Sequence, residues 1–172
     1  MLKNYGTKQA GRTKTILAID PNWSANPSEN KSGVAVLNTA TRQIQTMSLT
    51  FPQLCEKFAC LNINETVVVI EGGWLVPKSC FHSAQGHRAE KVAKDVGANH
   101  QTGRLLAEMA TYYGLTVEIQ KPLMKCWAGK DRKITHEELA SFIPSLPKRT
   151  NQDERDAALI AWLRAGYPIK AL

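Results

Sequence analysis

Residues 66–70, Thr-Val-Val-Val-Ile, constrain this chain more than any other segment. All five side chains are β-branched, stiff at χ1 and better suited to a pleated strand than to a helix. The valines and isoleucine run without polar alternation, so both faces of the strand are predicted to be buried. That is the pattern of a central strand in a parallel sheet, which needs helices on both faces and long crossovers to its neighbours. The next residue is Glu71. A carboxylate has no propensity reason to close such a run, whereas a functional site at the strand's carboxyl end supplies one.

Residues 16–20, Ile-Leu-Ala-Ile-Asp, repeat the arrangement: an apolar strand ends in Asp20, just before Pro21. Residues 21–31 are rich in Asn, Ser and Pro and form a predicted loop. Strands are predicted over residues 32–38 and 42–49, and the three residues between them imply a hairpin. Residues 52–61 place Leu54, Phe58 and Leu61 at helical spacing. Residues 72–99 have weak periodicity and suit a loop or a loosely helical segment. From residue 100 to 113 the stripe Leu105, Leu106, Met109 and Tyr113 predicts an amphipathic helix, stopped by Gly114. Residues 116–120 alternate as a fifth strand, and residues 123–134 form a basic loop. Thr135-His136-Glu137-Glu138 is a capping-box pattern opening a helix to Phe142. Residues 144–151 are a linker, and residues 152–165 the final helix. The order β-β-β-α-β-α-β-α-α predicts an α/β fold. Its five-stranded mixed sheet comprises a three-strand meander and two parallel strands reached by helical crossovers.

The length of 172 residues suits one domain over residues 15–172, preceded by a basic arm, residues 1–14. That arm carries Lys3, Lys8, Arg12 and Lys14 and no acid, and is expected to be flexible. No apolar run reaches membrane-spanning length and no signal-peptide core is present, so a cytoplasmic protein without membrane contact is expected. Cys55, Cys60, Cys80 and Cys126 form no C-x-x-C pair, which argues against zinc and for reduced thiols. His82, His87, His100 and His136 lack ligand spacing, and His100 is expected on the surface rather than at the site as an acid/base group. The net charge of +7 fits a polyanionic partner.

Asp153 and Asp156 stand three apart at the start of the last helix, so both project from one face. If the strands ending in Asp20 and Glu71 are parallel neighbours, those two carboxylates lie side by side. Four such oxygen donors repel one another unless cations sit between them, and magnesium prefers carboxylates plus water. Two ions about 4 Å apart activate water and stabilise a phosphoryl transition state. Each acid alone has a plainer explanation. Asp153 and Glu154 suit the positive end of a helix dipole, Thr150 with Asp153 would form a cap, and Asp20 before Pro21 would start a turn. The joint pattern has no such explanation. Lys121, Lys125, Lys130, Arg132 and Lys133 add a dense basic segment opposed only by Asp131.

These residues carry a resemblance. The chain is similar to the RuvC family of Holliday-junction resolvases, within the RNase H-like nuclease superfamily. The family opens with an apolar strand ending Gly-Ile-Asp-Pro-Gly, and this chain has Ala18-Ile19-Asp20-Pro21, then Ser32-Gly33-Val34-Ala35-Val36. The family's second acid ends a central strand, as Glu71 does. Its last helix carries Asp-x-x-Asp-Ala, matched by Asp153-Glu154-Arg155-Asp156-Ala157-Ala158. Pro122, Lys125, Gly129 and Lys133 match the order of its proline, lysine, glycine turn and second lysine. The resemblance covers roughly residues 15–165.

The resemblance implies an RNase H-like fold and a metal-dependent endonuclease cutting branched DNA as a homodimer. Asp20, Glu71, Asp153 and Asp156 would hold two Mg2+ ions (or Mn2+). Lys125 and Lys133 would contact the backbone near the scissile phosphate, Lys125 as part of the catalytic set. Lys121, Lys130, Arg132, Arg88 and Lys91 would line the nucleic-acid path, although a solvated face explains these charges equally well. Trp74 and Phe81 suit stacking on an unpaired base, and equally core packing or an oligomer contact. The chain departs from the family at Asn22-Trp23, where a glycine is expected, and at Gly72-Gly73-Trp74, where the family has Gln-x-Phe. Those loops flank the site, so two alternatives stay open: an RNA-processing nuclease, or a non-catalytic nucleic-acid-binding module. There is no room for the phosphate loops and second domain of an ATPase, so no nucleotide cofactor is expected.

Overall fold

The computed structural model describes residues 13–76 and 87–169. Cys80, Phe81, His82 and the arm residues Lys3, Lys8 and Arg12 lie outside the described residues. Strands β1 (Thr15–Asp20), β2 (Ser32–Asn38) and β3 (Ile44–Leu49) come first, followed by α1 (Phe51–Ala59) and β4 (Thr66–Glu71). Helix α2 (His87–Tyr112), β5 (Thr116–Gln120), α3 (His136–Phe142) and α4 (Gln152–Arg164) complete the order. The spatial order is β3-β2-β1-β4-β5. The first three strands pair antiparallel, while β4 runs parallel to both β1 and β5. This is the mixed sheet that the element order predicts, with the Thr-Val-Val-Val-Ile run at its interior.

The unbroken apolar pattern of β1 and β4 has the cause inferred from it. Ile16, Ala18, Val67 and Val69 enter one core, shared with α3 and α4. Leu17, Ile19, Val68 and Ile70 enter the other, beneath Leu54 and Phe58 of α1 and Leu106 and Ala110 of α2. Helix α4 is buried on nearly every side from Asp156 to Trp162, and its alanines at 157, 158 and 161 share one core with the small residues Ala18 and Ala35. Small side chains on both surfaces bring helix and sheet close together.

Two local expectations are corrected. Helix α2 has 26 residues and begins at His87, whereas the sequence suggests a regular helix only from residue 100. No described residue of its first half is fully buried, and it includes Gly97, so it has no apolar stripe to betray it. The cap of α4 is Asn151, whose side chain accepts from the Glu154 N–H at 2.9 Å, rather than Thr150 with Asp153. Thr135 and Glu138 do form the expected capping box of α3, and Gly114 adopts φ +79° at the end of α2.

Candidate metal and nucleic-acid site

Parallel pairing brings Ile19 opposite Ile70, so the next residues, Asp20 and Glu71, emerge side by side at the carboxyl edge of the sheet. On the other side Asp20 pairs with Gly33 of β2. Gly33 is where α4 crosses the sheet. A Cβ built there would lie 2.2 Å from the carbonyl carbon and oxygen of Asp153. Only glycine permits that approach, and it delivers the first turn of α4 to Asp20. A cavity of about 290 Å³ opens there, lined by all four acids together with Lys125, Arg132 and Lys133.

The charges in this cavity are strongly coupled. Burial, followed by repulsion from Glu71, Asp153 and Asp156, holds the Asp20 carboxyl well above the usual range, against the opposing pull of Lys133. Burial also raises Asp153, with Asp156 and Glu154 adding repulsion and Lys133 and Arg155 opposing it. Burial alone would lower Lys133. Its hydrogen bond to Asp156 and the negative charges of Asp156, Asp20 and Asp153 outweigh that, and its affinity for the proton is raised.

Two of the four carboxylates, Asp156 and Glu71, have specific tethers. Asp156 accepts from Lys133 Nζ at 2.9 Å through Oδ2 and from Gln152 Nε2 at 2.8 Å through Oδ1. Glu71 Oε1 accepts from the Leu123 N–H at 3.0 Å. Arg155 donates to the carbonyls of Ile134 (3.2 Å) and Thr150 (2.7 Å) and to Gln152 Oε1 (2.9 Å). It thereby clamps the basic loop, the linker before α4 and the residue that holds Asp156. Among the described residues no three His, Cys, Asp or Glu side chains close into a metal cage. Three of the four carboxylate oxygens of Asp156 and Glu71 accept hydrogen bonds from the protein's own donors. The donor set nevertheless suits a hard divalent cation: four carboxylates, with Asp156 buried and Asp20 half-buried at the strand end.

The other expected site residues divide. Lys125 and Arg132 are exposed and line the cavity; Lys121, Lys130 and Lys91 are exposed but do not. Arg88 begins α2, and its side chain lies outside the described residues. Trp74 is half-buried, edge-on to His100 and with Arg104 above its ring at 5.4 Å. A Cβ on Gly103 would come within 2.5 Å of its ring. Trp74 thus packs the β4 connection onto α2. His100, expected on the surface, is half-buried and lines the cavity beside Asn99. Asn99 Oδ1 accepts from the Trp23 N–H at 2.6 Å, pinning the divergent β1–β2 loop to α2. Asn22 lines the cavity from a loop expected to flank the site; Asn99 and Gln152 were missed in the sequence. Only Gln152 left a signal, four residues before Asp156 on a helix.

No protein-family model matches the chain, and no curated protein matches it. Among solved structures it is similar to T. thermophilus RuvC in complex with a Holliday junction substrate. The TM-score is 0.52 at 13% identity, over 88% of this chain and 96% of that one. The fold is RNase H-like. Among the described residues no helix is long and apolar enough to cross a membrane.

Proposed function

We propose that this chain is a divalent-metal-dependent endonuclease that hydrolyses phosphodiester bonds in branched DNA. One observation carries the reading: Asp20, Glu71, Asp153 and Asp156, from two strands and a helix, line one cavity with basic side chains at its wall. A purely phosphate-binding surface gains nothing from four carboxylates, which repel the ligand. The likeness to a RuvC structure holding a Holliday junction supports branched DNA as the substrate.

In this reading the four acids hold Mg2+ or Mn2+. The bound ions supply the charge that activates a water and stabilises the phosphoryl transition state. The chain's own residues do the rest. Gly33 and the Asn151 cap fix where the first turn of α4 presents Asp153 and Asp156. Gln152 and Arg155 fix the rotamer of Asp156. Lys125 and Arg132, exposed at the cavity, draw the backbone phosphates in; such contacts supply affinity and salt dependence but no sequence reading. A two-fold dimer would provide two sites for paired cuts across a junction.

The test is a panel of a synthetic four-way junction, linear duplex, RNA–DNA hybrid and structured RNA, each with and without Mg2+. Nicking of the junction is expected, lost with Asp20→Asn and Glu71→Gln. Cleavage confined to an RNA substrate would reassign the enzyme, and no cleavage of any member would sink the reading.

A further inference from the structure

Lys133 is the one basic side chain bonded directly to the acidic cluster among the described residues, and its place is unusual for a residue meant only to meet DNA. Its ammonium lies 2.9 Å from Asp156 Oδ2. Asp156 is 11% exposed and Lys133 35% exposed, so the acid is fixed while the lysine reaches the cavity from its open side. The other Asp156 oxygen is taken by Gln152. Gln152 is itself held by Arg155, so Asp156 cannot turn away to offer a fresh oxygen. Lysine is suited to leaving: a compact ammonium on a flexible stem makes one point contact, where arginine would lock on through a fork.

We propose that Lys133 is an exchangeable counter-ion which couples ion loading to phosphate capture. This rests on the reading that the four acids bind a divalent cation. With the acids bare, Lys133 neutralises them through Asp156. When they load a divalent cation through Oδ2, Lys133 gives up that oxygen, because the cation repels an ammonium held at contact distance in a partly buried site. The freed ammonium swings to the cavity mouth, where it meets a backbone phosphate. No covalent bond changes and no proton is transferred. Because coupling is reciprocal, nucleic acid that captures Lys133 must also tighten cation binding.

The consequence is counterintuitive: removing a basic residue from a nuclease site strengthens its hold on metal. Metal-stripped protein is titrated with Mn2+ by calorimetry as wild type, Lys133→Met, Lys133→Gln and Lys125→Met. The expected result is about tenfold tighter Mn2+ binding in both Lys133 variants, the scale of one nearby unit charge lost from a partly buried site. Lys125 is exposed and, among the described residues, bonded to no carboxylate, so Lys125→Met should change affinity less than about twofold. Circular dichroism confirms folding; should the methionine variant unfold, the glutamine variant carries the comparison. A second readout uses wild type alone. In 15N-lysine protein, titration with Mg2+ should abolish a slowly exchanging Lys133 ammonium signal. Equal tightening in the Lys125 and Lys133 variants, unchanged or weaker binding in the Lys133 variants, or a signal that persists with Mg2+ overturns the inference. Failure of every protein to bind Mn2+ overturns the metal reading and this inference together, whereas Mn2+ binding with equal affinities overturns the inference alone.

Discussion

Replacing Gly33 by alanine sets two physical rules against each other. Glycine inside a strand is entropically costly, so propensity alone makes Gly33→Ala stabilising by about 0.5–1 kcal/mol. The packing says otherwise. The new methyl carbon would lie 2.2 Å from two backbone atoms of Asp153 and 2.7 Å from its Cβ, whereas ordinary contact begins near 3.4 Å. The obstructing atoms are helix backbone, which cannot rotate aside like a flexible side chain. The first turn of α4 must therefore lift by about 1 Å, against an interior packed at crystal density. Overpacking of this kind costs about 1–3 kcal/mol. The net expectation is a loss of about 1–2 kcal/mol, seen as a fall of roughly 0.5–1 M in the urea midpoint. The lift also moves Asp153 away from Asp20, the strand partner of Gly33. A misplacement of about 1 Å at a reacting centre costs about a hundredfold in rate. Urea unfolding and junction nicking on the same preparation test both halves. A variant as stable as wild type or more so, with undiminished cleavage, would refute the claim that Gly33 sets the height of α4.

Other outcomes follow from the same geometry. Burial and the charges of Glu71, Asp153 and Asp156 raise Asp20 above its value of 3.8 in an unfolded chain. Its ionisation therefore costs metal-free stability at neutral pH, and that cost is relieved as pH falls through the raised folded value towards the unfolded one. Asp20→Asn should abolish cleavage yet raise the urea midpoint in EDTA at about pH 8, with the gain vanishing near pH 4; no gain at pH 8 would contradict the raised value. Arg155→Ala removes three hydrogen bonds joining the basic loop, the linker and Gln152, and should cost about 2 kcal/mol in chemical denaturation. Lys125→Ala and Lys130→Ala should each reduce the slope of log affinity against log salt by about 0.9 if each meets a phosphate; an unchanged slope removes that residue from the DNA path. Trp74→Ala should destabilise the fold by about 1–3 kcal/mol, since the ring packs over Gly103 and beside His100. Loss of DNA affinity at full stability would return Trp74 to a stacking role.

Much of the architecture was legible along the chain. The β-branched run at 66–70 and the apolar run at 16–19 announced strands because burial on both faces imposes its own pattern. Thr135 and Glu138 announced a helix start because the capping bonds need those side chains three residues apart. The first half of α2 was illegible for the converse reason: it buries too little to impose a stripe. Asn99 escaped notice at the cavity, and His100 was placed on the surface, because their positions depend on how α2 lies across the sheet, which no local spacing encodes. Gln152 stood beside a singled-out acid and was overlooked, although its spacing from Asp156 was readable.

The sequence by itself determined the element order, the two acids at strand ends, the acid pair on one helix face and the basic loop between them. These are local facts, carried by periodicity, propensity and spacing within a few residues. Tertiary structure alone decided that the four acids share one cavity. That needs β1 and β4 to be neighbours in matching register, and α4 to descend onto Gly33 until its first turn meets Asp20. It also decided that Lys133 belongs to the acids in the first instance, bonded to Asp156, since a charge finds its partner through the fold and not through the chain.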